Sequence, residues 1–387
     1  MLPVKQNLDD LPSPSTDALA HSAQLHARIH AEIVSTGGAI GFDRFMELAL
    51  YAPGLGYYSA GARKFGAAGD FITAPELSPL FSRCLAQQAG EVLQALGTGD
   101  ILELGAGSGV MAADMLAELE SSDRLPARYL ILEVSADLRE RQRETLQQRV
   151  PGLLGRVQWL DTLPESFTGL IVANEVLDAL PVQRFRRDAD GWSEYTVRLD
   201  GDAFVWNTRP PAPELRDALA ALEASLPSPL AIGYSSELCL RLPAFIRALA
   251  GTLERGAMLF VDYGYPRAAY YHPDRSMGTL MCHYRQRAHD DPFLYPGLQD
   301  ITAHVDFTAV AEAGVAKGLE LAGYTTQAHF LLALGIAERS KDMKTAREIK
   351  LLTLPDEMGE RFKVIGFTKG FDEPLQGFAL RDLSHTL

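Results

Sequence analysis

The chain has 387 residues, and 36 lysines and arginines against 50 aspartates and glutamates give a formal net charge of −14. Hydrophobic residues at 47% and charged residues at 22% are ordinary globular usage, which excludes disorder over most of the length. No apolar run reaches the roughly 18 residues of a membrane span, and an acidic chain without basic runs is unsuited to nucleic-acid binding.

The cysteines and the first residues bear on the cellular compartment. Cys84, Cys239 and Cys282 are scattered and form no C-x-x-C pair, which excludes a disulfide framework and suits a reducing compartment. The N-terminus has no apolar signal core, and no arginine precedes Arg28, which argues against a transit peptide. We therefore expect a cytoplasmic protein.

Histidines at helical spacing are the first candidates for a metal site. His26 and His30 lie four residues apart within a segment, Thr16 to Val34, whose pattern predicts a helix. Because no third ligand lies nearby, we interpret both as surface histidines and predict no metal site.

Two further segments precede a change of pattern. Residues 51–76 are irregular and rich in glycine, proline and aromatic residues, which is typical of a functional loop. Residues 79–96 have the pattern of a helix. With a loose arm over residues 1–15, we interpret residues 1–78 as an N-terminal helical and loop region and residues 79–387 as the main domain.

Short apolar strands alternate with amphipathic helices from Asp100 onward. This alternation predicts βαβ units, and therefore an α/β fold of the Rossmann-like, doubly wound type with a mostly parallel sheet. The predicted strands are at 100–104, 128–133, 156–160, 169–173, 257–262 and 361–367. The predicted helices are near 108–120, 136–149, 240–253, 307–317 and 329–350.

Two inserts interrupt this alternation, at about 182–235 and 263–306. In the first, residues 182–186 and 193–197 alternate in polarity around a short Asp- and Gly-containing turn, which predicts an antiparallel hairpin. The second insert is polar and aromatic. Both inserts are expected on the substrate side of the sheet.

A glycine-rich turn joins the first predicted strand to its helix. Gly105, Gly107 and Gly109 allow a ligand to approach the backbone with no side chain in between. A dinucleotide-binding fingerprint would have its third glycine at position 110, and Val110 there disfavours a nicotinamide-dependent oxidoreductase. With Glu103 two residues earlier, E-x-G-x-G-x-G is instead the pattern of S-adenosyl-L-methionine (SAM) methyltransferases.

Acidic and amide residues at the ends of the following strands complete the expected cofactor site. Glu133 can accept hydrogen bonds from both ribose hydroxyls, and Asp161 can bind an adenine amino group. Asn174, Glu175 and Asp178 follow the fourth strand and are expected to face the transferable methyl group. Strand-end carboxylates often cap the next helix, and Asp178 could have that role instead.

Several sequence blocks between about residues 37 and 370 carry a family resemblance. They are Gly56–Tyr58, Gly69–Glu76, Glu103–Gly109, Glu133–Ser135, Asn174–Pro181, Asp262–Tyr265, Gly278–Leu280 and Asp300–Phe307. On these blocks the chain resembles the MidA family of SAM-dependent methyltransferases, which includes the mitochondrial arginine methyltransferase of complex I assembly.

The resemblance implies a class I methyltransferase sheet of seven strands whose last strand is antiparallel. It also implies methylation of terminal nitrogens of an arginine in a partner protein, with a respiratory complex I subunit as one acceptor. Residues 1–78 would close over the cofactor. The further site residues that it implies are Gly69, Asp70, Thr73 and Glu76 at the cofactor, and Asp262, Tyr263, His304 and Asp306 near the acceptor.

An arginine acceptor sets a chemical requirement, because guanidinium has a pKa above about 12 and no free lone pair. Carboxylates that bind it bidentately localise its charge and leave one nitrogen more nucleophilic. We hypothesise that this pair comes from Glu175, Asp178, Asp262 and Asp306, with Glu237 as an outside candidate. His304 could accept the released proton, and it could equally be a core histidine.

Two other functions stay open on the sequence. A small-molecule O- or N-methyltransferase would use the same scaffold, and an assembly chaperone could bind SAM without catalysis. Because the long inserts favour a macromolecular acceptor, we predict a protein partner with an accessible arginine segment. The sequence is also compatible with a homodimer.

Overall fold

The computed structural model describes residues 11–60 and 73–387. Its helices are α1 (Thr16–Ser35), α2 (Phe42–Tyr51), α3 (Ala74–Leu77), α4 (Pro79–Leu96), α5 (Val110–Ser121), α6 (Ala136–Arg149), α7 (Pro213–Ser225), α8 (Leu242–Thr252), α9 (Arg267–Tyr270), α10 (Phe307–Val315), α11 (Gln327–Ala333) and α12 (Met343–Thr353). Its strands are β1 (Ala39–Gly41), β2 (Asp100–Leu104), β3 (Tyr129–Leu132), β4 (Val157–Leu160), β5 (Phe167–Asn174), β6 (Gln183–Asp188), β7 (Gly191–Asp200), β8 (Ala203–Arg209), β9 (Ser235–Leu238), β10 (Leu253–Tyr265), β11 (Met281–Tyr284), β12 (Arg287–His289), β13 (Asp300–Thr302), β14 (Val305–Asp306), β15 (Glu320–Thr326) and β16 (Phe362–Lys369).

The central sheet has the strand order β15-β16-β10-β5-β2-β3-β4, and β14 pairs with the end of β10. Neighbours from β10 to β4 are parallel, whereas β16 runs antiparallel to both β10 and β15. The prediction of an α/β fold with a mostly parallel sheet is confirmed, and the last strand is antiparallel as the resemblance implied.

Helices cover both faces of this sheet, because its strands are apolar on both faces. Along β10, Leu259 and Val261 pack in a cluster with α4, α5 and α11. Met258 and Phe260 point to the opposite face and pack in a cluster with α8 and α10. Burying each such side chain stabilises the fold by about 1.5–3 kcal/mol, so the sheet is held between two apolar layers.

A second sheet, in the order β1-β7-β6-β9 with β8 beside β7, joins the N-terminal region to the first insert. The predicted hairpin is formed by β6 and β7, in which Asp188 pairs with Gly191. Further along β7, Ile40 of β1 lies opposite Val197. Both side chains belong to one apolar cluster with α1 and α2. The N-terminal region and the insert therefore share a core, which the sequence pattern did not indicate.

The prediction of one helix near 329–350 is wrong. The chain forms the separate helices α11 and α12 there, because Gly335 after α11 has a φ of +72° and that left-handed backbone ends a helix. Asp342 then starts α12 by accepting a hydrogen bond from the backbone N–H of Thr345. The second insert contains a three-stranded sheet in the order β12-β11-β13.

Within residues 11–60 and 73–387, none of the helices combines the length and apolar character that crossing a membrane requires.

Candidate functional site

A cavity of about 250 Å³ opens at the carboxyl ends of β2, β3 and β5. In open α/β sheets this edge is where ligands bind, near the switch in strand order. Two tyrosines, Tyr51 and Tyr58, line the cavity together with the glycine turn. The predicted site residues that line the cavity are Thr73, Glu76, Glu103, Gly105, Gly107, Glu133, Asn174 and Glu175.

The turn after β2 requires glycine. Gly105, Gly107 and Gly109 have φ values of +61°, +52° and +82°, in the left-handed region. A Cβ atom on Gly109 would also lie 3.0 Å from the Cα atom of Gln142 on α6. Gly109 is outside the cavity lining and supports the turn from behind.

Glu103 forms a buried acidic wall of the cavity. The Tyr129 hydroxyl donates a hydrogen bond of 2.5 Å to its Oε2 atom. Burial raises the pKa of Glu103 to about 7, although this hydrogen bond acts in the opposite direction. A cationic amino group of a ligand would lower that pKa again, so Glu103 is suited to bind one.

Glu133 is oriented by a network of hydrogen bonds. Its Oε1 atom accepts from the backbone N–H of Ser135 at 2.9 Å, and its Oε2 atom accepts from Gln142 Nε2 at 3.2 Å. Gln142 also donates to the carbonyl of Gly107 and accepts from the indole of Trp159. Gln142 therefore fixes Glu133 relative to the glycine turn, in a position from which a carboxylate can bind two ribose hydroxyls.

The short helix α3 contributes the other predicted cofactor residues. The Ser108 hydroxyl of the glycine turn donates to Glu76, and Thr73 precedes the helix at the cavity wall. Gly69 and Asp70, which were also predicted to contact the cofactor, lie outside the described residues.

Asp161 lies outside the cavity lining. Its side chain is 86% exposed and forms an ion pair of 2.7 Å with Arg139. Arg139 also donates to the carbonyls of Glu133 and Leu160, so it links the ends of β3 and β4. Contact between Asp161 and an adenine amino group remains a prediction.

Asp262 holds the loop that follows β5. Its Oδ2 atom accepts hydrogen bonds from the backbone N–H groups of Val176, Leu177 and Asp178 at 3.2, 2.8 and 3.3 Å. Glu175 precedes this loop segment with a φ of +53°, which is uncommon for a residue other than glycine. Asp262 is 1% exposed and therefore acts on the loop from within the core.

Three buried carboxyl groups, those of Asp178, Asp262 and Asp300, lie close to Glu175 of the cavity wall, and we call these four residues the acid cluster. Burial, and then the charge of Asp262, raise the pKa of Glu175 to about 8. The same two causes raise the pKa of Asp178 well above its usual value. Burial raises the pKa of Asp262 to about 7 against its backbone donors. Glu175 lines the cavity, and Asn174 Nδ2 donates to its Oε1 atom at 3.0 Å.

Sequence reasoning missed three residues of this site, Tyr51, Tyr58 and Asp300. The tyrosine rings are stacked with centroids 5.5 Å apart. The Tyr51 hydroxyl donates to the carbonyl of Ala179 and the Tyr58 hydroxyl donates to Asp300, each at 2.9 Å. Tyr58 and Asp300 both belong to blocks quoted for the family resemblance, and that was the signal available for finding them.

His304 and Asp306 line a different cavity, of about 570 Å³, between α7, α8 and α10. Asp306 caps α10 and forms an ion pair of 3.1 Å with Arg267. Burial lowers the pKa of His304 to about 4. Glu237 lines the same cavity and accepts from the backbone N–H of Thr279 at 2.7 Å. The roles predicted for these residues at the acceptor stay predictions.

A model of a family of SAM-dependent methyltransferases, Methyltransf_28, matches residues 84–325. The crystal structure of a COG1565 superfamily member from Burkholderia thailandensis, bound to S-adenosyl-homocysteine, is 49% identical to this chain with a TM-score of 0.92. That similarity covers 98% of this chain and 100% of the other.

Curated relatives are similar over most of their length. The mitochondrial protein arginine methyltransferase NDUFAF7 of Mus musculus is 30% identical, over 85% of this chain and 81% of the relative. The mitochondrial NDUFAF7 homologue of Caenorhabditis elegans is 27% identical, over 85% of this chain and 83% of the relative. The expectation of a cytoplasmic location is wrong on this comparison, because these relatives are named as mitochondrial.

Proposed function

The chain belongs to the Methyltransf_28 family of SAM-dependent methyltransferases, and from that premise we propose that it methylates a terminal nitrogen of an arginine in a partner protein. The names of the relatives support a protein arginine acceptor. The observation that carries the proposal for this chain is the acid cluster, whose member Glu175 lines the cavity together with two stacked tyrosines.

The residues of the cavity fit the cofactor. Glu133 would bind the ribose hydroxyls, Glu103 the amino end, and the glycine turn would let the cofactor approach the backbone. Glu76 and Thr73 would close the site from α3. When bound, SAM supplies a methyl group on a positively charged sulfur.

Glu175 is the group that would face the acceptor guanidinium. It lines the cavity, and Asp178 and Asp300 raise its negative potential from behind. Burying a carboxylate without a positive partner costs free energy, so a cation that enters the cavity beside Glu175 is stabilised. A carboxylate beside one edge of a guanidinium localises its charge and leaves the other nitrogen free to attack.

A proton must leave the nitrogen that forms the new bond to carbon. Glu175 can take this proton on a carboxyl oxygen, because its pKa of about 8 lies near the operating range of a general base. Asp262 would act as a positioning residue, since its oxygens bind the loop backbone. We retain His304 and Asp306 as predictions for the acceptor side, beyond the cavity that Glu175 lines.

Two broader parts of the proposal concern the domain and the partner. Residues 1–78 would close over the cofactor, and Thr73 and Glu76 at the cavity support this. A respiratory complex I subunit is the acceptor that the family resemblance implies.

The test is labelling of a lysate from cells that lack this chain, with tritiated SAM and the purified protein. Label should enter protein, and mass spectrometry should assign it to arginine. Glu175→Gln at equal concentration is the control, with SAM binding measured by calorimetry. Label confined to small molecules, or to side chains other than arginine, would contradict the proposal.

A further inference from the structure

Two cationic side chains flank one aromatic ring at the end of β10. The guanidinium carbon of Arg275 lies 3.8 Å from the centroid of Tyr265. The Nζ atom of Lys363 lies 5.6 Å from the same centroid. His304 packs edge-on against this ring, with centroids 5.3 Å apart. We call Arg275, Lys363 and His304 the basic cluster.

Neither Arg275 nor Lys363 forms an ion pair with a carboxylate among the described residues. Arg275 donates to the carbonyl of Ala269, and Lys363 donates to the carbonyls of Glu360 and Arg361. Arg267 differs from these two cations, because it forms ion pairs with two carboxylates. A carbonyl satisfies a donor without neutralising its charge, and the Glu360 carboxylate acts on Lys363 without forming an ion pair with it, so the basic cluster is suited to bind an anionic group.

Two further observations indicate that an anionic group belongs there. The Nδ1 atom of His304 is buried and has no hydrogen-bond partner among the described residues. Burial lowers the pKa of Lys363 to about 8; the charge of Glu360 opposes this shift, and the charge of Arg275 adds to it. A bound anion would offset the repulsion between Arg275 and Lys363, and it would raise the pKa of Lys363 so that its ammonium form is favoured.

The basic cluster lies next to the acid cluster along β10. The centroid of the Tyr263 ring is 6.1 Å from that of His304. Burial raises the pKa of the Tyr263 hydroxyl, and the charges of all four acids of the acid cluster raise it further. Tyr263 and Tyr265 are two residues apart on one strand, a spacing of roughly 7 Å. An extended polypeptide would span the same distance with two or three residues.

We propose that the basic cluster binds a carboxylate of the acceptor polypeptide, two or three residues from the arginine that is methylated. This inference rests on the proposed arginine methylation and adds a sequence preference to it. Arg275 is half-buried and accessible to such a group. Lys363 is buried and contributes its positive charge without direct contact. The carboxylate is either an acidic side chain or the free C-terminus of the acceptor.

The experiment compares three variants on the lysate of cells that lack this chain. Arg275→Gln and Lys363→Gln should each raise the KM for the labelled acceptor about tenfold, because each removes one positive charge from the carboxylate site. The SAM affinity and kcat should stay unchanged. Lys369→Gln is the matched control, because Lys369 is on the same strand and also binds backbone carbonyls, at the other end.

Mapping the methylated arginine by mass spectrometry gives the second readout. We expect an aspartate, a glutamate or the C-terminus of the acceptor two or three residues from the methylated arginine. Lys363→Arg, which keeps the positive charge, should have the wild-type KM. Peptides of the mapped sequence with Gln in place of the acid, or with an amidated terminus, distinguish the two sources of the carboxylate.

The outcomes separate this inference from the proposed function. An arginine that is methylated without a neighbouring carboxylate, or an unchanged KM in both Gln variants, would overturn the carboxylate site alone. Absence of any label on protein with the wild-type chain would overturn both.

Discussion

Tyr58 donates a hydrogen bond of 2.9 Å from its hydroxyl to Asp300, which is 242 positions later in the chain. The bond connects the cavity wall to the acid cluster, because Tyr58 lines the cavity and the charge of Asp300 raises the pKa of Glu175. The N-terminal region therefore contributes to the electrostatics of the candidate acceptor site and not only to its shape.

Tyr58→Phe removes this donor and keeps the stacked ring. We expect a loss of about 1–3 kcal/mol in the free energy of unfolding, because Asp300 loses a buried partner. The KM for the acceptor should rise. Chemical denaturation and initial rates measure the two effects. Tyr195→Phe, whose hydroxyl contacts Ser235 away from the cavity, should leave the KM unchanged.

Glu175→Gln keeps the size of the side chain and removes its charge and its ability to accept a proton. We expect kcat to fall by roughly 10²–10⁴-fold, the range for loss of a general base. SAM binding by calorimetry should be unaffected, because the proposed cofactor contacts lie elsewhere in the cavity. Turnover at the wild-type rate would exclude Glu175 as the base.

The pH dependence of stability follows from the raised pKa values in the acid cluster. Glu175 shifts from 4.5 to about 8, so its neutral form contributes stability that is full below pH 4.5 and is lost as the pH rises through about 8. Between pH 6 and pH 9, the free energy of unfolding should fall at least about 1.4 kcal/mol more in the wild type than in Glu175→Gln, the equivalent of one pKa unit. An equal fall in the free energy of unfolding between the two pH values in both proteins, measured by chemical denaturation, would contradict the assignment.

Asp262→Asn tests the positioning of the loop after β5. The amide can accept hydrogen bonds at one position only, so some of the four backbone N–H groups around Asp262 lose their acceptor. We expect a loss of about 1–3 kcal/mol in the free energy of unfolding. Glu175→Gln at the same pH should show no such loss, which distinguishes a structural carboxylate from the base.

Gly109→Ala introduces a Cβ atom where the backbone is left-handed and Gln142 lies 3.0 Å away. We expect destabilisation of about 1–2 kcal/mol and weaker SAM binding, because Gln142 orients Glu133. Gly155→Ala is the control, since a Cβ atom there meets nothing within 4 Å. Thermal melts with and without SAM measure both effects.

Local periodicity was sufficient to predict much of the central sheet. Residues 100–104 and 79–96 were predicted with the bounds that β2 and α4 have, because apolar strands buried on both faces and capped amphipathic helices leave clear patterns. The strand β15 was missed, because Glu320–Thr326 shows neither strict alternation nor a continuous apolar run.

The candidate site was harder to predict, because it depends on contacts between distant segments. Glu133 and Glu175 were identified from their positions at strand ends, and both line the cavity. Asp161 ends a strand in the same way, but β4 is the edge strand and its side chain faces solvent. Asp300 was not selected, since nothing in its neighbourhood along the chain indicates that it meets Tyr58.

The pairing of β1 with β7 has a consequence during synthesis. The apolar sides of α1 and α2 pack against Val197 and Phe204, which leave the ribosome long after residue 41. At 5–20 residues per second, these helices wait roughly 8–30 s for their partner strand. During that interval the apolar sides of α1 and α2 are exposed to solvent on the nascent chain. We therefore expect folding of this chain to depend on a chaperone that binds exposed apolar segments.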